Sequence, residues 1–422
     1  MVRRIQSGVL LVAMLFALTG CAGISTVEDL LRAPQLSSQL AVVQKALNTW
    51  LGESPQLKYP RSGDSASPFL FSDLDGDGAE EAVVLYQSET SSLNVHLAVL
   101  EQQGEEWRVI QTMEGLAAGV QSIELADLHG DGGHELVVVY PGPADGQDFL
   151  AVYSYANHML ERNYMRVSSC YLLQSVDDSG RQSLAIAYPQ GSRMALEVLT
   201  SRGGVFQNTQ EMLLDERFAD CTQLFYSAKP GMRRTLVVDG VDQSGYTISE
   251  IIDYDPTQNL PTPYTAYDGD IIAASARLKP GLSSMDIDGD GGVEIPVEEE
   301  TITDLDEARK LSYVTWRDFT RSSNTVVWFG ILDAEYGYFI RLPSMWQGRI
   351  AVRDGEAQGS WEVCSPDGTQ RYLTVQVRSV DEEELGPGYV SAGIIGQHRI
   401  MVNANHSYLE DASLVLDGIR IL

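Results

Sequence analysis

Cysteine and histidine are scarce in this 422-residue chain, at 4 and 6 residues. That excludes a disulfide-stapled scaffold and a zinc protein built on Cys and His. Positive charge is also scarce: 29 Lys and Arg stand against 59 Asp and Glu, a formal net charge of −30. Such a surface repels a phosphate backbone, so nucleic acid is excluded as a partner, and the charge-matched partners are cations, divalent metals above all. Catalytic signatures are missing too. There is no Gly-x-Ser-x-Gly elbow, no His-Glu-x-x-His, no Walker loop and no Gly-x-Gly-x-x-Gly following a strand. Among 59 acids a glycosidase-like carboxylate pair carries no information. What is present, 44% hydrophobic and 21% charged residues, describes a mostly globular chain long enough for two or three domains.

Residues 1–20 read as an address. Arg3 and Arg4 precede the apolar run Val9–Leu18, which is shorter than the roughly 20 residues of a membrane span. The run ends in Leu18-Thr19-Gly20-Cys21, which resembles the bacterial lipobox. The resemblance implies cleavage before Cys21, lipidation of its thiol, and a protein held by a lipid anchor on the extracytoplasmic face of the cell membrane. Cys170, Cys221 and Cys364 remain; buried free thiols is the preferred reading, and one disulfide with a leftover is the alternative.

Residues 21–67 form a linker and a helix. Leu36, Leu40, Val43, Leu47 and Leu51 recur at steps of four and three, with Ser37 or Ser38 placed to cap the start and Gly52 to end it. Ser54–Ser67, rich in Pro, Gly and Ser, reads as a loop.

The main signal is internal repetition. Asp73–Tyr86 reads DLDGDGAEEAVVLY, Asp127–Tyr140 reads DLHGDGGHELVVVY, and Asp286–Val297 reads DIDGDGGVEIPV. Two weaker copies, Ser175–Tyr188 and Ser227–Gly240, lie between them. In each unit a short apolar strand precedes the loop, a strongly apolar strand follows, and two alternating segments complete the set. About four short strands per roughly 50 residues fits a propeller blade. No segment within 60–300 has a sustained helical period.

Numbered from Asp73, the first loop has acids at positions 1, 3, 5 and 9 (Asp73, Asp75, Asp77, Glu81), Gly78 at 6 and Ala79 at 7. Alternate carboxylates on a tight turn aim at one centre, and the carbonyl at position 7 can join them. A set of hard oxygens suits calcium. Position 12 is Val84, not the bidentate acid of an EF-hand, and the loop runs into a strand. The third strong copy repeats the pattern with Asp286, Asp288, Asp290, Gly292 and Glu294. The second keeps Asp127, Asp131, Gly133 and Glu135 but has His129 at position 3, a poor ligand for a hard cation. The alternation of His129 and His134 along the turn favours surface histidines over a transition-metal site. The third copy keeps only Asp177, and the fourth has Lys229 at position 3; neither is expected to hold metal.

The segments DLDGDGAEE, DLHGDGGHE and DIDGDGGVE resemble the FG-GAP/VCBS repeats of integrin-type β-propellers. The likeness covers 68–335. It implies calcium loops and a propeller-like domain of about five four-stranded blades, but not a function, because such propellers serve many roles. The short helix and the Tyr59-Pro60-Arg61-Ser62-Gly63 loop ahead of the first acidic loop also resemble lipobox-bearing VCBS-repeat lipoproteins of Gram-positive bacteria. In residues 336–422 the run Gly337–Trp346 loosely resembles PsbP-like α/β domains, an ordinary α+β domain being the alternative. The expected fold is therefore mainly β, with a short N-terminal helix and a small C-terminal α+β domain. The expected function is a non-enzymatic, calcium-stabilised binding or scaffold lipoprotein with an envelope protein or carbohydrate ligand. The alternative is an envelope-associated hydrolase of polysaccharide or another polymer on the same frame.

Overall fold

The computed structural model describes residues 38–421 except 89–92, 145–146, 176–180, 208–210, 256–259, 279–281, 303–304, 306–309, 320–323, 358, 383–385 and 405–417. Cys21 and Asp177 lie outside the described residues, as does most of 304–311, whose sequence reads as helix-like. The expected helix forms as α1, Ser38–Leu51. Its Val43 and Leu47 are fully buried, and Gly52 ends it at φ 73° with its N–H donating to the Asn48 carbonyl at 2.9 Å.

The rest is mainly β. Six antiparallel sheets occur among the described residues, and in all but the fifth the strands come from one stretch of chain. Sheet one contains Phe69–Ser72, Glu81–Gln87, His96–Gln103 and Glu106–Glu114, with Gln56–Leu57 paired beside Glu81–Gln87. Sheet two contains Ser122–Ala126, Glu135–Ala144, Gln147–Ala156 and Met159–Ser168. Sheet three contains Cys170–Ser175, Gln182–Gln190, Arg193–Arg202 and Val205–Gln207; sheet four contains Phe218–Ser227, Thr235–Asp242, Thr247–Asp255 and Leu260–Pro263. In these four sheets the loop of each copy joins the first strand to the second, as the spacing requires. A five-residue helix, α2 (Ile271–Ser275), follows sheet four; its shortness explains why no helical period is visible.

Sheet five departs from the pattern. Its first strand has shrunk to a single bridge, Met285 with Glu294, ahead of Ile295–Thr301, Leu311–Asp318 and Thr325–Asp333. Tyr338–Leu342 and the returning segment Ile419–Ile421 then extend it. The boundary expected at 335/336 thus falls inside a sheet, because the apolar faces of Phe339 and Ile340 pair with Leu332 and Ile331. Sheet six is Ala351–Asp354, Ser360–Cys364, Arg371–Ser379, His398–Ala404 and Val390–Ile395. Among the described residues after 336 the only helical element is the 3-10 turn Ser344–Trp346, so the expected α component is not found there.

Packing runs in chain order. Alternate side chains of one strand point to opposite faces. Val83 and Leu85 meet Leu136 and Val138 of sheet two, while Ala82, Val84 and Tyr86 meet α1. Val137 and Val139 meet Leu184 and Ile186 of sheet three, and Ala185 and Ala187 meet Leu236 and Val238 of sheet four. Val237 and Ile251 meet Ile295 of sheet five, whose Ile331 and Ile340 meet Trp361 and Val363 of sheet six. Burial on both faces is why the second strands read as unbroken apolar runs. The outer face of sheet six is polar: Glu362 sits between Arg353 and Arg371, beside Thr374.

Candidate metal centre

The three strong loops share one hydrogen-bond scheme. In the first, Asp73 Oδ1 accepts from the N–H of Gly76 at 2.7 Å and of Asp77 at 3.2 Å, and its Oδ2 accepts from Gly78 N–H at 2.9 Å. Asp75 Oδ1 accepts from Asp77 N–H at 3.3 Å, and Asp77 Oδ1 from Ala79 N–H at 2.7 Å. Glu81, at the mouth of the second strand, reaches back to accept from Leu74 N–H at 2.9 Å. Glycine is needed at Gly76 and Gly78, which sit at φ 76° and 89°. The Asp286 loop repeats each bond: Gly289, Asp290 and Gly291 donate to Asp286, Asp290 to Asp288, Gly292 to Asp290, and Ile287 to Glu294 at 3.1 Å. In the Asp127 loop, Gly130, Asp131 and Gly132 donate to Asp127, Gly133 to Asp131, and Leu128 to Glu135 at 2.9 Å.

Position 1 therefore ties the turn, position 5 fixes position 7, and position 9 pins the loop to its strand. Oxygens of Asp73, Asp75 and Glu81 lie within 4.8 Å of one another, and so do those of Asp286, Asp288 and Asp290. Each cluster could hold a metal ion. Glu294 is 1% exposed, and its Oε1 has no hydrogen-bond partner. Burial pushes Glu81 up to about 7 and Glu135 and Glu294 up to about 8, against the pull of their backbone donors and with neighbouring aspartates adding to the rise.

His129 is not a surface residue. Its side chain is 6% exposed, with Nε2 3.4 Å from Glu135 Oε1 and 3.2 Å from Ser154 Oγ. Its ring lies 4.6 Å from that of Phe206, centroid to centroid. Burial lowers its pKa, against the pull of Asp131 and Asp127, and the ring stands at position 3, where the other two strong loops place a carboxylate. His134 is half-buried and bonds Ser72 Oγ and the Asp73 carbonyl.

The loops are also joined to one another. The N–H at position 8 of one copy donates to position 1 of the copy before: His134 to the Asp73 carbonyl at 3.1 Å, Gln182 to the Asp127 carbonyl at 2.9 Å, and Val293 to Ser227 Oγ at 3.0 Å. Two features escaped the sequence reading. Lys229 forms an ion pair with Asp290 of the next copy, which spacing along the chain does not show. Asp239, 1% exposed, pairs with Arg277 at 3.0 Å. Here a signal existed, because an acid follows the apolar run Leu236–Val238 where the first three copies carry Leu85, Val139 and Ala187.

No family model matches the chain, and no curated protein matches it. Solved structures resemble it distantly. Sqt1 of Saccharomyces cerevisiae is 8% identical, with 86% of this chain and 97% of that one covered, at a TM-score of 0.32. A hypothetical protein from Leishmania major is 9% identical, covering 67% and 91%, at 0.22. A Bacteroides uniformis protein proposed to be a 6-phosphogluconolactonase is 12% identical, covering 75% and 93%, at 0.31. At these scores none carries an argument about this chain.

Proposed function

We propose that the protein is a non-enzymatic binding or scaffold lipoprotein of the cell envelope, a propeller-like array of blades stiffened by calcium. The observation that carries the reading is the shared loop scheme, with two carboxylate clusters gathered within 4.8 Å and a buried, unpartnered Glu294 oxygen beside one of them. Hard oxygens in a flexible loop suit calcium better than magnesium, which demands a smaller octahedral cage. Asp73, Asp75, Asp77 and Glu81 hold one ion with the carbonyl of Ala79, and Asp286, Asp288, Asp290 and Glu294 hold a second with that of Gly292. Asp127, Asp131, Glu135 and Gly133 form a third, weaker loop plugged by His129. The ion supplies charge neutralisation and stiffness; the residues supply geometry. No helix among the described residues is long and apolar enough to cross a membrane, and attachment is assigned to lipid on Cys21. The partner is an envelope protein or carbohydrate.

The test is a pull-down from native membranes in calcium and in chelator, with calcium uptake measured on the same protein. The expected result is about two ions per chain and a partner released by chelator. A protein that takes up no calcium at millimolar concentration would overturn the reading.

A further inference from the structure

The two full loops differ in their electrostatic surroundings. Lys229 Nζ is ion-paired with Asp290 Oδ2 and lies 3.9 Å from Asp318 Oδ2, its side chain 23% exposed. On the other side, Arg341 and Arg420 both stack over Trp328, at 4.5 and 4.6 Å, and Arg420 donates to the Ile287 carbonyl at 3.4 Å. A Cβ built on Gly292 would lie 2.9 Å from Asp290 Oδ1, 3.3 Å from Lys229 Cδ and 3.5 Å from Glu294 Oε1, so lysine and ligands crowd one point. Among the described residues no Lys or Arg ion pair involves Asp73, Asp75 or Asp77.

The difference has a structural origin. Lys229 holds position 3 of the fourth copy, as Asp75 does in the first. Asp75 lines a cavity of about 280 Å³ with Asp131, which is position 5 of the following loop. Lys229 contacts Asp290, also position 5 of the following loop. Position 3 of one unit thus faces position 5 of the next: the chain places an acid ahead of the Asp127 loop and a lysine ahead of the Asp286 loop, while the Asp73 loop is the first of the copies.

We propose that Lys229 is a tethered competitor for the cation at the Asp286 loop, making that loop the weaker and later-filling of the two full calcium sites. The inference rests on the calcium reading above. An ammonium group relieves repulsion among Asp286, Asp288 and Asp290 when no ion is bound. A dication needs the same Asp290 carboxylate, so the lysine must swing away before the ion seats. A unit charge left about 4 Å from a dication weakens its binding by at least about tenfold even at the dielectric of water. The loop at Asp73, without such a competitor, fills first.

The test isolates the Asp286 loop with Asp75→Asn and Asp77→Asn, which leave the Asp73 cap in place, and titrates calcium chloride calorimetrically at fixed ionic strength. Adding Lys229→Met is expected to tighten binding at least about tenfold and to lower the melting temperature in chelator. Lys229→Gln is expected to act in the same direction, and Lys229→Arg to keep the weak binding. Unchanged affinity in both neutral variants, while the parent binds calcium, overturns the role of Lys229. Absence of calcium uptake by the wild-type chain overturns the calcium reading itself, and this proposal with it.

Discussion

Replacing Asp239 by Asn should be among the most damaging single changes in the protein. The carboxylate is a four-way hub. Its Oδ1 accepts from Ser249 Oγ at 2.6 Å and Ser284 Oγ at 2.7 Å, and its Oδ2 from Ser284 N–H at 2.7 Å and the Arg277 guanidinium at 3.0 Å. Arg277 is 1% exposed and also donates to the Leu282 and Ser275 carbonyls and to Ser249 Oγ. An amide in place of Asp239 turns two donors toward donors and leaves a buried guanidinium without its counter-charge. Breaking a buried pair from one side costs about 3–5 kcal/mol, a large part of a typical domain stability of about 5–15 kcal/mol. Arg277→Met should cost less, because three donors still hold the carboxylate. The pair Asp239→Val with Arg277→Met should recover much of the loss, since apolar replacement of a buried ion pair is often neutral. Urea unfolding followed by tryptophan fluorescence and circular dichroism measures all three. Ser284 stands two residues before Asp286, so Asp239→Asn should also loosen the Asp286 loop and leave calcium at the Asp73 loop unchanged. A loss below about 1 kcal/mol for Asp239→Asn would refute the claim that this pair is a buried, fully engaged network.

Calcium should raise the melting temperature and chelator lower it, by up to about 2.7 kcal/mol per site at a hundred times Kd; Asp75→Ala and Asp288→Ala should each remove part of the shift, Asp177→Ala almost none, and magnesium should do less, as scanning calorimetry would show. Burial pushes Glu250 up to about 7, although it accepts from Asp215 N–H at 2.9 Å. The folded state therefore holds that proton longer than the unfolded chain, and this contribution to stability falls as pH rises from about 4.5 to about 7. Glu250→Gln should flatten that slope and stabilise the protein at pH 8 by up to about 3 kcal/mol, read from urea midpoints across the range. A Cβ at Gly330 would lie 2.0 Å from the Ile340 carbonyl oxygen. Gly330→Ala should therefore cost about 1–3 kcal/mol and raise hydrogen exchange in Tyr338–Leu342 first. Cys21→Ser should abolish fatty-acid labelling; unchanged labelling would end the lipoprotein assignment.

Much of the fold was legible wherever a local rule was enough. The four-three spacing of Leu40, Val43, Leu47 and Leu51 marked α1, and the acid-glycine turns marked where first strands meet second strands. What was not legible depended on long-range pairing. Nothing local shows that Ile419–Ile421 returns to Tyr338–Ile340, or that the first strand of sheet five reduces to one bridge. The acidic clusters were readable because their spacing is local, whereas the burial of His129 and the reach of Lys229 depend on neighbouring units. Asp239 was readable in principle, as an acid inside an apolar strand.

The serial packing has a consequence for how such a chain can change length. Every interior sheet buries both faces, so gain or loss of a unit in the middle leaves two matching apolar faces to rejoin. A unit lost from an end does not heal in this way. Without α1, the row Ala82, Val84, Tyr86, Ala98 and Leu100 faces water. Sheet six needs no such cover, because Arg353, Glu362, Arg371 and Thr374 already give its outer face a polar character. The two termini of the stack are closed by different means, a helix and a charged face, and neither matches the other. Duplication of an interior unit would preserve both closures, whereas loss of an end unit would expose an apolar face.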